Sequence, residues 1–117
     1  MAEISHAGTV QEAKSRIKEV TPQQAMTERD ANTVFLDVRE ANEWNVARIP
    51  GAVFLPLGSV EAKVEETVPR DKKVVVYCRS GNRSAFAADT MRQLGYTDVA
   101  SMSDGIQGWA EAGGEIE

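Results

Sequence analysis

The chain has 117 residues, 42% of them hydrophobic, which suits one domain around a core that needs no covalent staples. Thirteen basic against eighteen acidic residues give a net charge of −5, which argues against nucleic acid or a membrane surface as a general partner. One cysteine excludes an internal disulfide, and with a single histidine, His6, no metal site is expected.

Residues 1–8 read as a flexible leader and 9–117 as a single domain. The leader has no apolar core of the kind a secretory signal carries. No apolar run approaches the ~20 residues of a membrane helix, so a cytoplasmic protein is expected. Thr9 caps a first helix over VQEAKSRIKEV (10–20), with Val10, Ala13 and Ile17 at helical spacing. Thr21 and Pro22 open a second helix. TVFLDV (33–38) is β-branched and apolar, the composition of a buried strand. EANEW (40–44) suggests a short helix, and Pro50-Gly51 a turn. VFLPL (53–57) reads as the second strand. Ser59 caps a helix over VEAKVEETV (60–68), closed by Pro69. KVVVYC (73–78) is the third strand and RSAFAADTMRQL (83–94) a helix that Gly95 ends. DVASM (98–102) is the last strand, and DGIQGWAEAGG (104–114) a short terminal helix. This alternation predicts an α/β fold, a small, mostly parallel sheet with helices on both faces. Ligands of such sheets bind beyond the carboxyl ends of the strands.

At one such end lies CRSGNRS (78–84), which holds the lone cysteine. A free thiol has a pKa of ~8.5 and is largely protonated at neutral pH. Here Arg79 and Arg83 are permanent cations, and the loop contains no acid. The following helix would turn its unpaired N–H groups toward the loop. Gly81 lets the backbone bend so that successive N–H groups converge. Together these make an anion cradle with a nucleophilic sulfur at its floor, suited to covalent chemistry on an anionic substrate. A lone cysteine at a strand end is otherwise a small buried hydrophobe. The loop composition favours the reactive thiol.

Several other residues read as structural. Asp37 and Arg39 form an ion pair that fixes the turn after their strand, the alternative being that Asp37 orients the loop. Trp44 and Trp109 read as core or pocket wall, and Met91 as packing. Glu40 and Glu43 read as a solvated helix face, and His6 as solvated.

Three segments together resemble the single-domain rhodaneses, a sulfurtransferase family. They are LDVRE (36–40) with Glu43-Trp44 and IPGA (49–52), then VVVYCRSGNRS (74–84), then LGYTDVASMSDGIQGWAEAGG (94–114). The resemblance spans roughly residues 20–114. It implies a parallel sheet with helices on both faces. It also implies that Cys78 takes a sulfane sulfur from a donor such as thiosulfate and passes it to cyanide or a thiol. The N–H groups of Arg79, Ser80, Gly81, Asn82, Arg83 and Ser84 would hold the persulfide and the departing sulfite. Arg79 and Arg83 would hold the donor's charge, and Ser80 and Ser84 would add hydroxyl donors. No cofactor is implied. The partners would be a small sulfur donor and a thiol, cyanide or protein acceptor, with a persulfide carrier for a protein partner as the alternative. Phosphatase and arsenate reductase relatives resemble a loop with arginine six positions after the cysteine. Here that position is Ser84 and Arg83 comes one earlier, the shorter ring associated with sulfur transfer. The chain departs from the family pattern at Ala47-Arg48, where Gly-His is common, and at Asp104, where a glycine is common. A glycine at 47 with positive φ would make Ala47 costly; Arg48 would add a cation near the pocket; Asp104 would cap the last helix.

Overall fold

The computed structural model describes residues 3–117. In chain order the elements are α1 (Val10–Ser15), β1 (Lys18–Val20), α2 (Pro22–Thr27), β2 (Thr33–Asp37), α3 (Ala41–Val46), β3 (Val53–Phe54), α4 (Leu57–Thr67), β4 (Lys73–Tyr77), α5 (Asn82–Gln93), β5 (Val99–Met102) and α6 (Gly105–Glu111). The strands form one parallel sheet in the order β1-β5-β4-β2-β3.

Side-chain alternation along β4 divides the core. Val74, Val76 and Cys78 face the layer of α4 and α5, where they pack with Val60, Val64, Ala88 and Met91. Val75 and Tyr77 face the opposite layer, with Phe35, Ile49, Met102 and Trp109. α1 packs on α5 beside α4, while α2 meets α6. Helices therefore cover both faces, which is why β4 carries an unbroken apolar run.

The largest departures from the sequence reading fall in two stretches. The first helix stops at Ser15, and Lys18–Val20 is an edge strand instead, Lys18 pairing with Ala100 and Val20 with Met102. Burial of Val20 against the α2/α6 layer holds those residues extended. α4 starts at Leu57 behind Pro56, and no side chain caps it; Ser59 lies inside the first turn. β3 is correspondingly only two residues long, because Pro56 has no N–H to continue a ladder.

β2 leads to β3 on one side, and β4 leads to β5 on the other. The topology thus switches between the adjacent β2 and β4, where Asp37 and Tyr77 are register partners. Crevices of this kind, beyond the carboxyl ends at a switch point, are where α/β sheets hold ligands.

Candidate active site

β4 delivers Cys78 to this crevice, and the chain then turns into α5. Gly81 makes the turn with φ 99° at the N-cap of α5, a left-handed conformation that a side chain would strain. A Cβ there would also press on the backbone of Met102 to Asp104. The turn directs main-chain donors at the sulfur. The Gly81 N–H lies 3.1 Å from Cys78 Sγ and the Ser84 N–H 3.4 Å. Ser84 Oγ is 3.5 Å from the sulfur and 2.8 Å from Ser101 Oγ on β5. Cys78 is 1% exposed, so burial pushes its thiol pKa up. The Ser84 hydroxyl and the N–H groups of Ser84, Gly81 and Ser80 outweigh burial and leave it below the ordinary value.

α6 holds the loop from outside. The Ile106 N–H donates to Cys78 O at 2.9 Å, and the Gln107 N–H to Arg79 O at 3.2 Å. With those carbonyls drawn outward, the later amides of the loop are left to face the sulfur. The fit is close at Gly105, where a Cβ would lie 2.4 Å from the carbonyl oxygens of both Cys78 and Arg79. Asp104 occupies the N-cap position, but its side chain makes no cap bond. It differs from the expected role in carrying φ 64°, the one left-handed non-glycine among the described residues.

The loop residues do not all serve one centre. Gly81 and Ser84 are buried against the sulfur, while Arg79, Ser80 and Asn82 are exposed. Arg83 turns to α3, where its guanidinium takes both oxygens of Glu43 at 2.7 and 3.0 Å. That pairing pulls Glu43 down to about 2 and holds Arg83 more firmly protonated. Glu43 is therefore an ion-pair partner rather than a solvated face. It also closes a capping box with Glu40 at the start of α3. Arg79 has no ion pair among the described residues.

Asp37 and Arg39 form a buried pair beside the loop. Arg39 Nε lies 3.0 Å from both carboxylate oxygens and Nη2 lies 2.7 Å from Oδ2, while the Arg39 N–H bonds Oδ1 at 2.9 Å. Arg39 Nη2 also donates to Ala47 O at 2.6 Å, fixing the turn that follows α3. Ala47 has φ −163°, extended backbone that any residue adopts, so its difference from glycine carries no strain. Arg48 is an ion-paired cation rather than a free one. Its Nε meets Glu117 Oε2 at 3.2 Å, its Nη1 donates to Trp44 O at 3.1 Å, and it lies over the Trp44 ring. Trp44 stacks on Phe54, Trp109 packs edge-on against Phe35, and Met91 is fully buried. His6 is exposed and meets Glu61 Oε1 at 2.5 Å. No cluster of three or more His, Cys, Asp or Glu suited to a metal occurs among the described residues.

The sequence reading missed Ser101, Glu43 and the α6 amides. Their contacts to the loop span 17 to 40 residues, and no local pattern encodes them. Beside the loop, a groove of about 530 Å³ runs between α3 and α6, lined in part by Arg79, Val46, Ile106 and Ala110.

The Rhodanese-like domain family matches residues 20–112. A Bacillus subtilis protein named for sulfur carriage, YrkF, is 40% identical over 80 residues; the match covers 68% of this chain but only 43% of YrkF. A protein named sulfurtransferase from Allochromatium vinosum is 36% identical over 93 residues, 77% of this chain and 86% of that one. Among solved structures, Rhodopseudomonas palustris RPA3614, described as of unknown function and a possible tyrosine phosphatase, superposes with a TM-score of 0.84. It is 31% identical, with 100% of this chain and 99% of the other covered.

Proposed function

This chain belongs to the rhodanese-like family of sulfurtransferases and sulfur carriers, and from that premise we propose that it moves a sulfane sulfur from thiosulfate, through a persulfide on Cys78, to cyanide or a thiol. The observation that carries the proposal is the set of N–H and hydroxyl donors converging on Cys78 Sγ, with the thiol held below its ordinary pKa.

In the first half-reaction the Cys78 thiolate attacks the outer sulfur of thiosulfate. A new S–S bond forms, the old one breaks, and sulfite leaves with the bonding electrons. Sulfite is a stable anion, so no general acid is required. The persulfide's terminal sulfur is itself anionic and lies where main-chain N–H groups stabilise charge without reorganising. In the second half-reaction cyanide attacks that sulfur, thiocyanate departs, and the electron pair returns to Cys78 Sγ. Arg79 supplies the exposed positive charge at the entrance. We assign Arg83 through Glu43, and Arg39 through Asp37, to positioning the walls. The proposed setting is the cytoplasm; no helix among the described residues is long and apolar enough to cross a membrane.

Intact mass after thiosulfate tests the proposal. A gain of one sulfur on the parent chain, its loss on adding cyanide with release of thiocyanate, and neither event in Cys78→Ser are expected. Full thiocyanate release by Cys78→Ser would sink it. Similarity to YrkF supports a second reading, in which Cys78 stores the sulfur for a protein acceptor. Rapid loading, negligible turnover with small thiols and fast transfer to a protein thiol would select that reading. Hydrolysis of an aryl phosphate, lost in Cys78→Ser, would instead select the phosphatase reading, against the short ring that closes at Arg83.

A further inference from the structure

We propose that the sulfur acceptor is a small thiol with an apolar body and a single anionic group, seated in the groove between α3 and α6. This inference rests on the persulfide reading above and specifies the substrate class of its second half-reaction.

The groove starts at the sulfur-bearing loop itself, because the backbone of Ile106 and Gln107 in its wall is hydrogen-bonded to Cys78 and Arg79. Its volume, about 530 Å³, lies within the roughly 300–1,000 Å³ of small-ligand sites. Half of the lining is aliphatic, and Arg39, Asn42, Glu43, Arg79 and Gln107 make up the rest. Val46 on α3 is 85% exposed and Ile116 is 41% exposed, and they are the two large hydrophobic residues left open among the described residues. Both line this groove, with Ile106 and Ala110 of α6. Exposed aliphatic side chains gathered in one concavity beside the sulfur-bearing loop fit an apolar substrate body.

The charge of the site sets the rest of the ligand. Three arginines lie near the sulfur, but Asp37 balances Arg39 and Glu43 balances Arg83. Arg79, on the groove wall, has no such partner among the described residues. One unbalanced cation at the edge of an aliphatic groove matches one carboxylate on an aliphatic thiol. A bare thiol would leave Arg79 unpaired, and an amine would meet like charge. In the transfer, the acceptor loses its thiol proton to solvent, and its thiolate attacks the outer sulfur of the Cys78 persulfide. The enzyme's S–S bond breaks, its electron pair returns to Cys78 Sγ, and the acceptor leaves as a persulfide.

The test loads Cys78 with thiosulfate, removes the donor and follows transfer to alkyl thiols of similar acidity: mercaptohexanoate, mercaptohexanol, aminohexanethiol and mercaptopropionate. Mercaptohexanoate is expected to exceed the other three in kcat/KM by about tenfold or more, since each buried methylene and a matched charge add to binding. Arg79→Gln should erase its advantage over mercaptohexanol. Val46→Ser, a neutral change outside the loop that leaves the charge beside Arg79 as it is, should raise KM for mercaptohexanoate by about tenfold while loading and transfer to cyanide stay at parental rates. A chain that loads and serves cyanide but shows equal rates for all four thiols, indifferent to Val46→Ser, overturns the inference alone. Transfer to a protein thiol without preference among the small ones overturns it as well. Failure to gain sulfur from thiosulfate overturns the persulfide reading and the inference with it.

Discussion

At Cys78 the opposing effects are burial, which favours the protonated thiol, and hydrogen-bond donors, which favour the thiolate. Ser84 contributes twice, through its amide and its hydroxyl, so Ser84→Ala should raise the thiol pKa while leaving the amide ring in place. The pH dependence of alkylation by iodoacetamide would read this, and an unmoved profile would remove Ser84 from the account. Because the folded thiol titrates below the unfolded one, ionisation adds stability at pH values above the unfolded thiol's ~8.5, and that gain fades as pH falls through the folded value. Glu43 follows the same sign at lower pH. Its carboxyl falls from 4.5 to about 2 in the fold, so its contribution is full above 4.5 and is lost as pH falls toward 2. Glu43→Gln should therefore be less stable than the parent at neutral pH, with the gap in urea midpoint closing on acidification. The convergence of amides on Cys78 was legible in the sequence, since strand, glycine and helix start are adjacent in the chain. The sequence reading assigned Arg79 and Arg83 the same part, whereas Arg83 is engaged by Glu43, 40 residues away in α3, a pairing no local pattern carries.

Among the elements, α6 shapes the Cys78 loop without contributing a side chain to the sulfur. Its first turn binds the carbonyls of Cys78 and Arg79, and its first residue has no room for a methyl group. Gly105→Ala is expected to lower the melting temperature and, by pushing the loop, to raise the Cys78 pKa; both are measurable, by thermal unfolding and thiol titration. A thiol titration that stays put despite a lower melting temperature would show that α6 supports the fold alone. The helices with clear signals, such as α2 behind Thr21-Pro22, were legible in the sequence. β1 was not, because Ile17 to Val20 suits either state over so short a span, and its strand partner lies about 80 residues onward. The start of α4 was misplaced because Ser59 is the better capping residue, yet the helix begins at Leu57 behind an extended Pro56 that offers no side-chain cap.

Across the whole molecule, one sheet is the common wall of two core layers, so the layers should unfold together. Met91→Ala, emptying a fully buried site in the α4/α5 layer, should cost about 2–5 kcal/mol and still give one transition by both fluorescence and circular dichroism. Two separated transitions would show that the layers are independent. Strand-helix alternation was enough to anticipate the parallel sheet and its two covered faces, whereas strand order depends on long-range pairings that no local pattern carries. The described chain starts and finishes at opposite poles of that sheet. Ser5 is bonded to Gln93 at the far end of α5, while Glu117 pairs with Arg48, next to Ile116 at the groove. An affinity handle or surface tether joined at the front of the chain would leave the reactive pole clear, whereas the same attachment at the back would crowd the approach to the sulfur.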